Sequence, residues 1–194
     1  MASTLSTSDL RRETVITAAI AAFARSGYLG TPTSAVAEQA EISTAYVFKL
    51  FPTKEALFVA ALARCIELIE QTLERGASAA KDQTPEGILD AMGEQYAELI
   101  ADRDLLMMQV HAQSACDIDV IRQALRDGIG SITRYASTRS GASDDAVQSF
   151  MAYGQLCHLI VTAGLDAVDA PWAKALVAGI RHPEPTKKGK KKTP

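Results

Sequence analysis

Apolar residues recur along this chain at spacings of three and four, and no stretch alternates with period two for long enough to claim a strand. The first run places Val15, Ile16, Ala19, Ile20 and Phe23 on one face of a helix that Ser8 or Asp9 is placed to cap. Gly27, after Arg25-Ser26, is a natural residue for a helix end. A second, shorter run puts Val36, Ala37 and Ala40 on one face. Thr31 stands before it as N-cap, and Pro32 takes the first helical position, where a missing N–H costs nothing. Glu41-Ile42 makes a turn, with Ile42 placed to pack inward, and Ser43 caps a third helix. Val47, Phe48 and Phe51 give that helix its inner face, and Thr44, Ala45, Tyr46 and Lys49 its outer one. Pro52 stops it. Thr53 then caps a long fourth helix, to about Ser78, whose stripe is Leu57, Phe58, Leu62, Cys65, Ile66, Ile69 and Leu73.

Beyond it, Gly76 and Lys81-Asp82-Gln83 mark a boundary, and Thr84-Pro85-Glu86 repeats the cap-then-proline start. Ile88, Met92, Tyr96, Leu99 and Ile100 share one side of the helix that follows. After a break at Asp102-Arg103-Asp104, another segment runs through Met107-Met108 to Ala115. Asp117 or Asp119 restarts a helix to about Thr138, with Ile121, Leu125, Ile132 and Tyr135 inward, and residues 141–145 form a loop and cap. The next helix, roughly residues 144–168, is apolar on two sides: Val147, Phe150, Met151, Cys157 and Val161 on one, Tyr153, Leu156, Ile160 and Leu165 on the other. A helix apolar all round has to be buried all round. Gly154 and Gly164 each cost it about 1 kcal/mol of propensity, which close approach of another backbone would explain. With a last helix over residues 171–180, this segment is expected to form a homodimer interface.

Residues 31–54 therefore read as two short helices joined by a tight turn, followed by a capped long helix. That is the build of a helix-turn-helix DNA reader, whose second helix offers its outer residues to base edges in the major groove. Lys54, at the start of the fourth helix, suits a phosphate. The expected DNA-contacting set is Thr33, Ser34, Ser43, Thr44, Ala45, Tyr46, Lys49 and Lys54.

At these residues the chain resembles the tetracycline-repressor (TetR/AcrR) family of transcriptional regulators. The resemblance covers about residues 12–62. It rests on A-x-x-x-F-x-x-x-G-Y from Ala19 to Tyr28, then Thr31, Val36-Ala37 with Ala40, Ile42-Ser43, Phe48, Phe51 and Lys54-Glu55-x-Leu57. The family usually has Gly where this chain has Glu41, Tyr where it has Phe48, and His or Tyr where it has Leu50. The resemblance implies an all-α fold: a three-helix DNA-binding head and a helical body that binds ligand and dimerises, about nine helices in all. The expected organisation is a head over residues 8–55, a body over 56–182 and a disordered basic tail over 183–194. The expected function is a transcriptional regulator, a repressor released from a palindromic double-stranded DNA operator by a small apolar or aromatic effector. An all-helical protein-interaction module without specific DNA binding is the alternative.

Charge refines this picture. The net charge is −3, but residues 1–60 carry five Lys/Arg against five Asp/Glu, residues 61–180 nine against seventeen, and residues 181–194 six against one. An acidic body does not lie on DNA, so contact is confined to the head and the tail. The tail reads as a solvating end, with a phosphate-attracting arm as the alternative. No segment approaches ~20 continuous apolar residues. Glu13 and Thr17 interrupt the first apolar run, which rules against a signal sequence. Cys65, Cys116 and Cys157 are odd in number and widely spaced, which fits free thiols in a reducing cytoplasm.

In the body, Tyr96, Met107, Met108, His111, Tyr135, Phe150, Met151, Tyr153 and His158 are the expected ligand-binding set. Each taken singly is ordinary core. As a group they suit an irregular apolar ligand, since Met-rich and Tyr/His-tipped linings adapt in shape. No Cys or carboxylate spacing supports a metal site at His111 and His158, and no cofactor is expected. There is no nucleophile elbow, no Gly-rich phosphate loop and no set carboxylate pair, so the chain is not expected to be an enzyme.

Overall fold

A computed structural model describes residues 7–179, which form nine α-helices and one 3-10 turn, with no strand among them. The helices are α1 (Thr7–Gly30), α2 (Thr33–Gln39), α3 (Thr44–Leu50), α4 (Lys54–Ala79), α5 (Pro85–Leu99), α6 (Arg103–Ser114), α7 (Asp119–Ser140), α8 (Asp144–Ala163) and α9 (Pro171–Val177). No helix among the described residues is long and apolar enough to cross a membrane. The basic segment 183–194 lies outside the described residues.

Most helix starts follow from local hydrogen bonding. The Ser43 hydroxyl accepts from the Tyr46 amide at 3.2 Å, Thr53 from Ala56 at 3.1 Å and Thr84 from Gly87 at 3.1 Å. Asp102 and Ser143 cap α6 and α8 the same way. Each such cap is worth about 1 kcal/mol. Two predicted starts differ. α1 begins at Thr7, so Ser8 and Asp9 sit inside its first turn. Thr31 caps nothing. It is buried, and its hydroxyl is shared between the carbonyls of Gly27 at 2.7 Å and Ala22 at 3.2 Å, so it closes the end of α1 while Pro32 stands at the N-cap of α2.

The chain changes direction at Gly27, with φ 67° and ψ −179°, a conformation open essentially to glycine alone. The last turn of α1 is thereby tilted, and Tyr28 swings onto α4. Phe58 meets Phe23 and Tyr28 edge-on, with ring centroids 4.8 and 5.4 Å apart. One connected apolar core runs from Val15 and Phe23 through Phe58 and Leu62 to Met92, Met108 and Ile132. Head and body share it, and α4 is its spine.

Close approach within the chain occurs at Gly76 and Gly128. A Cβ at Gly76 would lie 2.5 Å from the Ala91 carbonyl oxygen, so α4 and α5 touch there, and α4 runs on past it without a boundary. A Cβ at Gly128 would meet Ile66 at 2.8 Å. Gly164 has open space around it and a left-handed φ of 64°: it ends α8 at Ala163, five residues short of the predicted end, and a 3-10 turn over Leu165–Ala167 follows. The second predicted apolar side of α8 is only partly covered by the described residues: Ile160 is fully buried and Leu156 half-buried, whereas Tyr153 is 59% exposed, and Leu159, beside it, is 53% exposed. Trp172 of α9, 56% exposed, is exposed too. α9 ends at Val177; Ile180 lies outside the described residues.

Candidate nucleic-acid interface and ligand cavity

α2 and α3 form the helix-turn-helix. The turn between them hinges on Glu41, which adopts φ 54° without being glycine, at a cost of about 1 kcal/mol or more. Val47 and Phe51, four residues apart, anchor α3 from below. The Arg12 guanidinium holds its C-terminal end, donating to the Leu50 carbonyl at 2.9 Å and lying 4.1 Å over the Phe51 ring. Phe48 is not on the inner face: it is 44% exposed. One residue past Val47 is a rotation of about 100°, which carries Phe48 to the side of Ala45 and Lys49.

Of the sequence-predicted contact residues, Ser34, Ser43, Ala45 and Lys49 are exposed, and Thr33, Thr44, Tyr46 and Lys54 are half-buried. Lys49 stands 6.0 Å from the Tyr46 ring. Lys54 sits at the start of α4 with its ammonium 4.5 Å over the Tyr28 ring, whose hydroxyl donates to Glu55 at 2.5 Å. That bond holds the Glu55 carboxyl below its usual range, and burial, followed by the same bond, pushes the Tyr28 phenol up to about 12. Partial desolvation lowers the Lys54 ammonium. α1 thus fixes the first turn of α4, and with it the place of Lys54 beside α3.

In the body, α4, α5, α7 and α8 enclose a cavity of about 500 Å³. Of the nine sequence-predicted ligand residues, Tyr96, Phe150, Met151 and Tyr153 line it. The other five are elsewhere. Met108 is fully buried in the shared core, and Met107 is half-buried on α6 without reaching the cavity. His111 lies against Gly27 at the contact of α6 with α1, its Nδ1 3.0 Å from where a Cβ on that glycine would stand. The Tyr135 hydroxyl donates to Glu74, tying α7 to α4. His158 sits one layer behind the wall, 2.5 Å from the Tyr96 hydroxyl.

The Tyr96 hydroxyl also lies 3.1 Å from Gln109 Oε1, and Gln109 Nε2 donates to the Leu105 carbonyl at 3.2 Å. These bonds are mutually consistent if His158 Nε2–H donates to Tyr96 and Tyr96 donates to Gln109. His158 Nδ1 then remains an acceptor without a partner, buried among described residues. Burial pushes the imidazole down to about 4, so the ring is neutral at physiological pH. The same burial raises the Tyr96 phenol. Cys157 lines the cavity and Cys65 lies in the core; burial pushes both thiols up, Cys65 to about 12, which keeps them protonated and unreactive.

Sequence reasoning missed the polar wall: Glu86, Asp90 and Glu94 of α5, with Gln109, Gln113 and Gln155. Its signal was available, since carboxylates at i, i+4 and i+8 share one helix face. It missed Phe48 as a surface residue because a helix of seven residues offers too few apolar positions to fix its inner direction.

Comparison with known proteins agrees with this geometry. Residues 15–61 match the bacterial regulatory proteins of the tetR family. No curated protein matches the chain. Among solved structures, a TetR-family transcriptional regulator from Agrobacterium tumefaciens superposes with a TM-score of 0.68 at 14% identity, covering 88% of this chain and 94% of that one. The regulator FadR from Bacillus subtilis, in complex with stearoyl-CoA, gives 0.64 at 18% identity over 87% and 99%. The multidrug binding protein EbrR, complexed with imidazole, gives 0.62 at 16% identity over 90% and 92%. Residues 15–61 thus match the tetR-family DNA-binding head, and the chain shares its all-helical fold with regulators of that family.

Proposed function

We propose that this regulator is a repressor released from a palindromic operator when a small molecule enters the body cavity. The observation that carries the reading is α4: its first turn positions Lys54 beside α3, and its middle, through Ile66, Ile69 and Leu73, walls the cavity. A ligand there and the DNA-reading helix lean on the same element. Two relatives of the same build hold ligands, stearoyl-CoA in FadR and imidazole in EbrR, which supports the cavity as the effector site.

On the DNA side, Ser43, Thr44, Ala45, Tyr46 and Lys49 of α3 enter the major groove, joined by Phe48, whose ring suits a thymine methyl. Thr33, Ser34 and Lys54 hold phosphates. Two chains pair through α8 and α9, where Tyr153, Leu159 and Trp172 leave apolar surface uncovered, and set two α3 helices about 34–36 Å apart in successive grooves. The effector binds a state with the heads at another spacing and draws the population away from DNA. The protein works in the cytoplasm, where its thiols stay reduced.

Footprinting on the DNA upstream of the chain's own reading frame tests this. Protection of a palindrome is expected, with two protomers per site by light scattering. No protected palindrome there, or a chain that stays monomeric at micromolar concentration, contradicts the reading.

A further inference from the structure

The cavity has a charge preference that its apolar walls conceal. Its floor is apolar, from Ile69, Leu73, Leu89, Ile132, Phe150 and Met151. Its rim is acidic. Glu86, Asp90 and Glu94 lie four residues apart on α5, so their carboxylates line one edge over about 12 Å. No lysine, arginine or histidine is among the described residues of the lining. Among the described residues Glu86 and Asp90 make no ion pair, and the body cations that do, Arg64, Arg122, Arg139 and Lys174, are engaged with other carboxylates. The rings of Tyr96, Phe150 and Tyr153 face the same space, and an aromatic face attracts a cation. Gln109, Gln113 and Gln155 add neutral dipoles only.

We propose that the effector is an organic cation with an aromatic or alkyl body: an amine, quaternary ammonium or phosphonium whose apolar part fills the floor while its charge rests against Glu86 and Asp90. This rests on the reading of the cavity as the effector site and narrows the ligand class. An anionic amphiphile would bring its charge to the same edge with no cation among the described lining residues to neutralise it. Glu86 and Asp90 are exposed, so their contribution is that of a solvated pair, a few-fold each.

Calorimetry on the full chain with three probes of similar shape tests the assignment: tetraphenylphosphonium, neutral triphenylphosphine oxide and tetraphenylborate. The phosphonium should bind about tenfold tighter than the neutral probe, and the borate weakest. In the double variant E86Q/D90N the preference for the phosphonium should fall to about twofold or less, with the neutral probe unchanged. Gly93→Leu, which fills the cavity from α5 where a Cβ stands 3.8 Å from Phe150, should weaken all three. Equal binding of phosphonium and neutral probe, tighter binding of the borate, or a preference that survives E86Q/D90N overturns the cationic class while leaving the effector cavity in place. Binding that Gly93→Leu does not touch, or no binding by any probe, overturns the effector cavity itself.

Discussion

Replacing Gly76 by alanine adds one methyl group at the point where α4 and α5 are closest. That carbon would sit 2.5 Å from the Ala91 carbonyl oxygen and 2.9 Å from the Met92 Cα, where ordinary contact begins at 3.4 Å. The obstacle is backbone, which cannot rotate aside, so the helices must separate by most of the 0.9 Å difference. Overpacking of this kind costs about 1–3 kcal/mol or more, and here the upper end applies. Alanine's better helix propensity returns about 1 kcal/mol. The net loss is about 2 kcal/mol, equivalent to a fall of about 4–8 °C in Tm for a chain of this size. Gly130→Ala is the control. It is also inside a helix, but its methyl meets only the mobile Arg134 guanidinium at 3.1 Å, so the chain should gain about 0.5–1 kcal/mol. Urea unfolding at one fixed protein concentration measures both, since association adds a concentration-dependent term. A Gly76→Ala variant as stable as the parent would show that α4 and α5 are not in backbone contact. Because the two helices wall the cavity on either side of Leu73 and Leu89, effector affinity should fall with stability in Gly76→Ala and stay constant in Gly130→Ala.

Three further outcomes are expected. Phe48→Ala should change stability by less than about 0.5 kcal/mol while weakening operator binding, whereas an inward ring would cost about 3–5 kcal/mol on unfolding. Lys54→Gln should lower the slope of log Kd against log salt by about 1 for each protomer, and an unchanged slope removes Lys54 from the phosphate contacts. His158 is held down at about 4 against an ordinary 6.5, so the native state binds fewer protons than the unfolded chain between those values. Its contribution to stability is complete above pH 6.5 and is lost as pH falls toward 4, by about 1.4 kcal/mol per pH unit and about 3 kcal/mol in all. His158→Gln should therefore flatten the acid limb of the stability curve relative to the parent; parallel limbs would mean that the imidazole is not desolvated.

What was legible in the sequence was what neighbouring residues decide among themselves. The caps at Ser43, Thr53 and Thr84 rest on bonds three residues long, and a serine or threonine before an apolar run announces them. The stripes of α1 and α4 are long enough for their period to fix a direction. Thr31 had the same local signature as Thr84, but its hydroxyl is taken by the end of α1, by the carbonyls of Gly27 and Ala22, four and nine residues back. Gly76 was read as a boundary and is instead a point of close approach, because only the neighbouring helix shows what a glycine inside a helix is for. The same limit governs the cavity. Hydrophobicity says that Met108 and Phe150 turn inward, but whether the inside is packed core or open space depends on how four helices are set against one another.

The apolar core that runs unbroken from Val15 to Ile132 bears on any attempt to divide this protein. A fragment stopped at residue 55 would keep all of α2 and α3 yet lose Phe58 and Leu62, and would leave Phe23 and Tyr28 facing water. The part that reads DNA borrows its solidity from the part that holds the cavity. Heat or urea should melt both together, in one transition, and neither half should survive alone.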